Sequence, residues 1–293
     1  MDTASTCHVF VHYFSDPKVG VAQARWGHLN EDQSLLTKVQ GLMLNGHFLI
    51  EHPSRNRNGL FFNMNGTGGL WRREAIEEAG GWSHDTITED LDLSYRAQMK
   101  GWKFVYLKDV VTPAELPPDM NGFKNQQHRW AKGSIQTCLK MLGPIWRSKL
   151  PGIIKLEATA HLTANFAYLL LILLCVLVNP AMHPESGWVR TVVLDIPIFF
   201  ATTISVSLFY VTAQIAINPS PLRWLREILY LPVLLALGIG MSVNNGKAVF
   251  EALLGRQSDF VRTPKYGIEK QRKDVRKTKY RALRSVAPAF EVA

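Results

Sequence analysis

The stretch TEDLDLSYRAQMKGWKFVYL, residues 88–107, decides the fold class of this chain. Thr88 is a candidate helix N-cap, and residues 89–99 follow it as a helix that stops at Gly101. Residues 103–107 then have the apolar and aromatic content of a strand. A helix that passes directly into a strand predicts an α/β layer structure.

Further elements are predicted on the N-terminal side of this stretch. Residues 19–26 and 60–64 have the composition of strands. Asn30 is the predicted N-cap of the helix between them, with Gln33 at the capping-box position. These alternating elements predict a largely parallel sheet, but about three strands are few for a doubly wound domain. The domain is therefore expected to lack its beginning.

Two more helices complete the α/β part. One is predicted over residues 72–79, where Gly80 and Gly81 end it, and a longer one begins near Gly122.

The second half of the chain alternates apolar runs with basic loops. Hydrophobic residues make up 47% of the chain and charged residues only 19%, and residues 158–184, 196–222 and 228–246 contain no Asp, Glu, Lys or Arg. Membrane spans are predicted over residues 159–178 and 196–217, and residues 228–243 form either a third span or a re-entrant or interfacial segment. This pattern excludes a disordered chain, a disulfide scaffold and a purely soluble enzyme.

Basic residues indicate the orientation. The net charge is +9, and residues 256–284 contain eleven Lys or Arg but only three Asp or Glu. A basic segment after apolar runs is typical of a cytoplasmic flank facing anionic lipid, so no nucleic-acid partner is expected. We expect a multi-pass protein of the bacterial inner (plasma) membrane, with its soluble domain in the cytoplasm.

Two short motifs carry candidate chemistry. Thr88-Glu89-Asp90 is either an acidic first turn of a helix or the position of a general base, Asp90, for a sugar hydroxyl. The motif Gln126-x-x-Arg129-Trp130 places an amide, a guanidinium and an indole on one helical face. Such a face suits a diphosphate and a sugar ring, but it also suits an interfacial helix before a membrane span.

Thr88-Glu-Asp, followed 36 residues after Asp90 by Gln126-x-x-Arg-Trp and then by membrane spans, resembles the processive family 2 glycosyltransferases. These include bacterial cellulose synthase and the plant cellulose-synthase-like A mannan synthases. Phe61-Phe-Asn-Met-Asn-Gly-Thr67 and Ala79-Gly-Gly-Trp82 are also similar to that family. The resemblance implies a GT-A-like domain that transfers a hexose, with inversion, from UDP-glucose or GDP-mannose to a growing β-linked polysaccharide.

The resemblance also implies roles for single residues. Asp90 would deprotonate the acceptor and Glu89 would support it; Arg129 and Gln126 would bind the diphosphate, and Trp130 would stack on the acceptor end. Asn65 and Thr67 are expected to line the acceptor pocket. Phe260-x-x-Thr263-x-Lys265 resembles the family's gating loop, which closes over the nucleotide, although Arg262 replaces its Val.

The family's donor-binding half carries a D-x-D motif for Mg²⁺ or Mn²⁺, and neither is found upstream of Asp16. Asp90-x-Asp92 has the spacing but belongs to the base motif, so no metal ligand is assigned. We expect residues 1–150 to be the C-terminal part of the catalytic domain, residues 151–250 the membrane region, and residues 251–293 the gating-loop segment and tail. An inactive synthase fragment and a non-catalytic membrane scaffold remain alternatives.

Overall fold

The computed structural model describes residues 3–181, 196–217 and 220–258, together with Thr263 and Gly267. Its sheet consists of strands β1 (Val19–His28), β2 (Gly69–Trp71) and β3 (Lys103–Ala114) in the order β2-β1-β3. β1 pairs parallel with β3 and antiparallel with β2. The predicted strands at 19–26 and 103–107 are confirmed, but the sheet is mixed rather than largely parallel.

The third strand is not where the sequence placed it. Residues 60–64 form no strand, because side chains of a neighbouring helix take their backbone hydrogen bonds. Gln98 accepts from Phe62 N at 3.2 Å and donates to Phe62 O at 2.8 Å, while Ser94 Oγ accepts from Met64 N at 2.9 Å. The edge position of the sheet is occupied instead by β2.

Helices cover the rest of the α/β part. They are α1 (Thr3–Tyr13), α2 (Leu35–Gly46), α3 (His52–Arg57), α4 (Arg73–Glu78), α5 (Glu89–Met99) and α6 (Met120–Arg147). α1 precedes β1, and a π-helical turn (His47–Glu51) joins α2 and α3 into one continuous helical segment. The predicted helices at 72–79, at 89–99 and from near Gly122 are thereby confirmed.

The cap of α2 corrects another prediction. Ser34, not Asn30, caps this helix: its hydroxyl accepts from Thr37 N at 3.1 Å, and Thr37 Oγ1 accepts from Ser34 N at 2.9 Å. Asn30 precedes only a 3₁₀ turn, Glu31–Gln33. Its side chain instead donates to Leu116 O at 2.9 Å and accepts from Leu116 N at 2.8 Å. Asn30 therefore fixes the loop after β3.

Two hydrophobic clusters connect the layers. One lies against the sheet and contains Val21, Phe48, Phe62, Leu93 and Phe104. The other lies where α5 and α6 meet the next helix, α7 (Gly152–Thr163), and is built around Tyr95, Ile145 and Leu162. This second cluster attaches the α/β part to the first long apolar helix.

The C-terminal half of the described chain is helical. A 3₁₀ turn joins α7 to α8 (Ala167–Ala181), and α9 (Ile196–Ile217), α10 (Pro221–Ile228), α11 (Leu231–Gly240) and α12 (Ser242–Leu253) follow. Within the described ranges, Gly152–Leu177 and Phe200–Ile217 are long and apolar enough to cross a membrane. Trp224–Gly240 and Ser242–Leu253 form a pair bent by 41°, compatible with a broken span or a re-entrant loop. The proposed domain division stays a prediction.

Candidate active site

Asp90 is the second residue of α5 and lies in the wall between two cavities. The first cavity, about 270 Å³, extends toward α2 and α7. The second, about 330 Å³, extends along α6. Both are lined by a shared set of residues, namely Trp26, Asn65, Thr88, Asp90 and Trp130. A group in this position can contact molecules in both cavities.

The surroundings of Asp90 suit a base. Burial raises the pKa of Asp90 to about 6, and the neighbouring charge of Glu89 adds to the increase. The hydrogen bond from Leu91 N, at 2.8 Å, and the positive charge of Arg129 lower the pKa less strongly. The sequence predicts that the helix N-terminus keeps this carboxyl ionised. Burial raises the pKa of Asp90 more than the helix N-terminus lowers it. A pKa of about 6 still leaves about nine-tenths of the Asp90 carboxyls ionised at pH 7.

The loop opposite Asp90 depends on a glycine. Gly66 has a φ of +69°, and a Cβ there would lie 3.1 Å from Asp90 Oδ2. A side chain would therefore be strained and would also press on the carboxylate. Gly66 allows the backbone to approach the carboxylate closely.

Asn65 and Thr67, on either side of Gly66, are held by buried polar groups. Asn65 accepts from Asn63 Nδ2 at 2.7 Å, and its Nδ2 lies 3.0 Å from His52 Nε2. Gln23 accepts from Asn65 N and donates to Thr67 O, both at 3.1 Å. Both predicted residues line the second cavity, and Asn65 also lines the first.

Sequence reasoning missed Gln23, Trp26 and His52. Trp26 Nε1 donates to Thr67 O at 3.2 Å, and its ring lines both cavities. Gln23 is fully buried in a strand, where a glutamine is unusual. A glutamine within a predicted strand was the signal in the sequence that could have revealed this part of the site.

Thr88 does not act as a conventional cap. It occupies the N-cap position of α5, but its side chain accepts no capping hydrogen bond. Within the described part of the chain, its buried hydroxyl has no hydrogen-bond partner. A Cβ at Gly133 of α6 would lie 2.4 Å from Thr88 Oγ1. Because Gly133 has no Cβ, α6 packs directly against the start of α5.

The predicted face of α6 is found in the second cavity. Gln126, Arg129 and Trp130 line this cavity together with Glu89 and Asp90. Trp130 also lines the first cavity, so its indole lies between the two. The structure thus brings both sequence motifs into one site. The chemical role of each residue stays a prediction.

The gating-loop prediction is covered only in part. Thr263 lines the second cavity, and Arg129 Nη2 lies 3.4 Å from its Oγ1. Phe260 and Lys265 lie outside the described residues.

A buried lysine that the sequence did not indicate anchors the segment before Thr263. Lys132 is fully buried in α6, and its Nζ lies 3.2 Å from Glu251 Oε2 and 2.8 Å from Ser258 Oγ. Lys132 therefore ties the end of α12 and the residues after it to the helix that carries Arg129.

Asp92 does not complete a D-x-D metal site with Asp90. Its fully buried carboxylate pairs with Arg96 at 2.8 Å and with Lys140 at 2.9 Å. Among the residues that the structure describes, no group of three or more His, Cys, Asp or Glu could hold a metal ion. These residues do not fit the Mg²⁺ or Mn²⁺ expected from the resemblance, and no step is assigned to a metal.

A third cavity continues from the first into the helical half. It has a volume of about 580 Å³ and shares Ala164 and Asn165 with the first. Its other lining includes Gln127, Tyr168 and Tyr210. The candidate base therefore adjoins a series of cavities that leads between the apolar helices.

Comparison with known proteins gives plant mannosyltransferases among the relatives of this chain. Over 134 residues the chain is 45% identical to probable glucomannan 4-beta-mannosyltransferase 10 of Arabidopsis thaliana, covering 46% of this chain and 24% of that protein. Over 148 residues it is 44% identical to glucomannan 4-beta-mannosyltransferase 1 of Oryza sativa subsp. japonica, covering 50% and 28%. The match therefore spans about a quarter of the length of these relatives.

A solved structure of a mannosyltransferase from Pyrobaculum calidifontis, in complex with GDP-Man and Mn²⁺, is similar with a TM-score of 0.44 and 18% identity. The similarity covers 86% of this chain and 59% of that one. A sequence profile described as glycosyl transferase family group 2 matches residues 3–183, which is more than half of the chain. The chain belongs to glycosyl transferase family group 2.

Proposed function

We propose that this chain transfers a hexose to a β-linked polysaccharide, with Asp90 as the base. The observation that carries the proposal is the position of Asp90 in the wall shared by two cavities. Arg129 and Gln126 line one cavity, and aromatic and polar side chains line the other. Donor and acceptor could thus meet at a single carboxylate.

The proposed reaction is one displacement. The acceptor hydroxyl transfers its proton to Asp90, and its oxygen forms a bond to the anomeric carbon of the donor sugar. The bond between that carbon and the diphosphate breaks, and the diphosphate leaves with the bonding electrons. Attack from the face opposite the leaving group inverts an α-linked donor to a β-glycosidic bond.

Separate groups would bind the two substrates. Arg129 would bind the diphosphate through its guanidinium group, and Gln126 and Thr263 line the same cavity beside it. Trp130 would stack on the acceptor sugar and Asn65 would line its pocket, whereas Thr67 lines only the cavity that holds Arg129 and Gln126. Glu89 would help to keep the pKa of Asp90 high, near the working pH of a base. Phe260 and Lys265 would complete a gating loop over the nucleotide.

GDP-mannose is the donor that we favour over UDP-glucose, with a 1,4-β-linked mannan or glucomannan as product. The support is that the relatives named above are glucomannan 4-beta-mannosyltransferases. A divalent cation, Mg²⁺ or Mn²⁺, is proposed as a requirement of the reaction, although the described residues offer no site for it.

We further propose that the protein lies in a membrane with the site on the cytoplasmic side, and that the third cavity receives the growing polymer. The two long apolar helices and the basic C-terminal segment support this arrangement. The relatives named here come from plants, and the bacterial inner membrane stays a prediction.

Transfer of labelled sugar tests the proposal. Membranes that contain the chain are supplied with GDP-[¹⁴C]mannose or UDP-[¹⁴C]glucose, a 1,4-β-manno-oligosaccharide and Mg²⁺ or Mn²⁺. We expect label from GDP-mannose in a product that an endo-1,4-β-mannanase degrades. Label only from UDP-glucose would contradict the choice of donor, and a product that resists the enzyme would contradict the linkage.

A second candidate is a membrane protein that binds the acceptor but does not turn over a donor by itself. The lack of a metal-ligand group among the described residues favours it. This candidate predicts binding of manno-oligosaccharides without release of nucleotide diphosphate.

A further inference from the structure

A second polar pair faces the first cavity from the side of the π-helical turn. His47 and Glu51 are the first and last residues of this turn. Both line the cavity that also contains Asp90. π-helical turns are rare and are found frequently at functional sites, because they change which side chains share a helix face. The reaction proposed above uses neither residue.

The pair leaves one carboxylate oxygen available. His47 Nδ1 lies 2.8 Å from Glu51 Oε2, and Arg55 Nη1 lies 3.5 Å from the same oxygen. The other oxygen, Oε1, makes no hydrogen bond or ion pair to the residues that the structure describes. The side chain of Glu51 is 40% exposed and that of His47 is 27% exposed. An acceptor atom is thus held in place and open to the cavity.

The carboxylate is ionised at neutral pH. Burial raises the pKa of Glu51, but the hydrogen bond with His47 and the positive charge of Arg55 outweigh burial and bring the pKa to about 2. Arg55 is itself fixed by Glu157 of α7, at 2.6 Å. The fixed negative charge favours a ligand with hydroxyl donors over an anionic ligand.

The rest of the cavity wall suits a sugar ring. Aromatic faces come from Trp26, Phe48 and Trp130, and amides come from Asn63 and Asn165. Aromatic rings bind the apolar face of a pyranose, while carboxylates and amides bind its hydroxyl groups. A few placed polar groups in a mostly apolar cavity are typical of small-molecule sites.

We propose that His47 and Glu51 form a binding subsite for a pyranose of the acceptor chain, with Glu51 Oε1 accepting hydrogen bonds from its hydroxyl groups. The inference rests on the proposed function, since it names residues that would hold the acceptor beside Asp90. The alternative is that the pair only stabilises the π-helical turn.

Calorimetric titration of the detergent-solubilised chain with 1,4-β-mannotetraose separates these readings. Glu51→Gln keeps the shape of the side chain and its hydrogen bond with His47 but removes its negative charge. It should weaken binding at least about tenfold, because hydrogen bonds to charged groups are roughly twice as strong as neutral ones. Glu77→Gln, which alters an exposed ion pair on α4, is the matched control and should bind the tetrasaccharide like the wild type.

The outcomes distinguish the two proposals. Equal affinity of Glu51→Gln and the wild type, with equal thermal midpoints, would overturn the subsite and leave the acceptor function intact. A wild-type chain that binds no tetrasaccharide would overturn both. If Glu51→Gln does not fold, His47→Gln carries the test, with the same expected loss and the same overturning result.

Discussion

Replacement of Gly133 by Ala should disturb the candidate site from a distance. An added Cβ would lie 2.4 Å from Thr88 Oγ1, 2.5 Å from Thr88 Cγ2 and 2.8 Å from Thr88 Cβ. All three distances are shorter than the contacts of a Cβ atom permit. These Thr88 atoms lie next to the backbone that begins α5. Either α6 or the start of α5 must move. Because Asp90 is only two residues after Thr88, such a movement should displace the Asp90 carboxylate.

The expected change in the free energy of unfolding follows from two opposing contributions. Overpacking typically costs 1–3 kcal/mol, while Ala gains up to about 1 kcal/mol over Gly in helix propensity. The free energy of unfolding should therefore fall by roughly 0–2 kcal/mol. Activity should fall more, about 10- to 100-fold, because a displacement near 1 Å of a reacting group costs on the order of 10²-fold in rate.

Gly143→Ala is the matched control. Gly143 lies in the same helix, and nothing lies within 4 Å of an added Cβ. Its stability should be unchanged or slightly higher, because Pro144 limits the gain in helix propensity. Thr88→Ala in the Gly133→Ala background removes two of the three clashing atoms, Oγ1 and Cγ2, and should restore part of the activity. The assays are thermal unfolding and release of nucleotide diphosphate. If Gly133→Ala matches Gly143→Ala in both, the packing argument is refuted.

Three further predictions use other features of the structure. Below pH 6 the rate should fall about tenfold per pH unit, because protonation of Asp90 removes the base; a flat pH–rate profile from pH 5 to 8 would oppose this role. Because the pKa of Asp90 is raised to about 6 in the folded chain, stability falls as pH rises from about 4 to about 6. Asp90→Asn should therefore increase the free energy of unfolding at pH 7.5, by up to about 3 kcal/mol, and the increase should vanish near pH 4. Lys132→Met removes the buried cation from Glu251, which keeps its contacts to His128 and Lys247, and should cost on the order of 1–3 kcal/mol in denaturant unfolding, against no measurable change for the exposed Lys103→Met.

Local signals in the sequence predicted a large part of the fold. β1, α5 and the start of β3 follow from short-range composition and from glycines that end helices. The α/β class and the GT-A-like assignment are confirmed by the family match. The Asn30 cap and the strand at 60–64 were wrong, because both depend on partners distant in sequence. Asn30 bonds Leu116, and residues 62 and 64 bond side chains of α5.

The site was predictable where a motif was present. Asp90, Arg129 and Trp130 come from two motifs, and the structure places them around one cavity. Gln23, His52 and Gly133 belong to no motif and act through contacts that only folding creates. The same holds for the environment of Asp90: burial sets its raised pKa, and the sequence showed only the helix N-terminus.

The most direct test of the central claim is release of nucleotide diphosphate from membranes that contain the wild-type chain or Asp90→Asn, with GDP-mannose, 1,4-β-mannotetraose and Mg²⁺ or Mn²⁺. We expect acceptor-dependent release of GDP by the wild type and loss of at least 100-fold in Asp90→Asn, consistent with the 10²–10⁴-fold contribution typical of a general base. Equal release by both proteins, or no release by the wild type, would contradict the central claim.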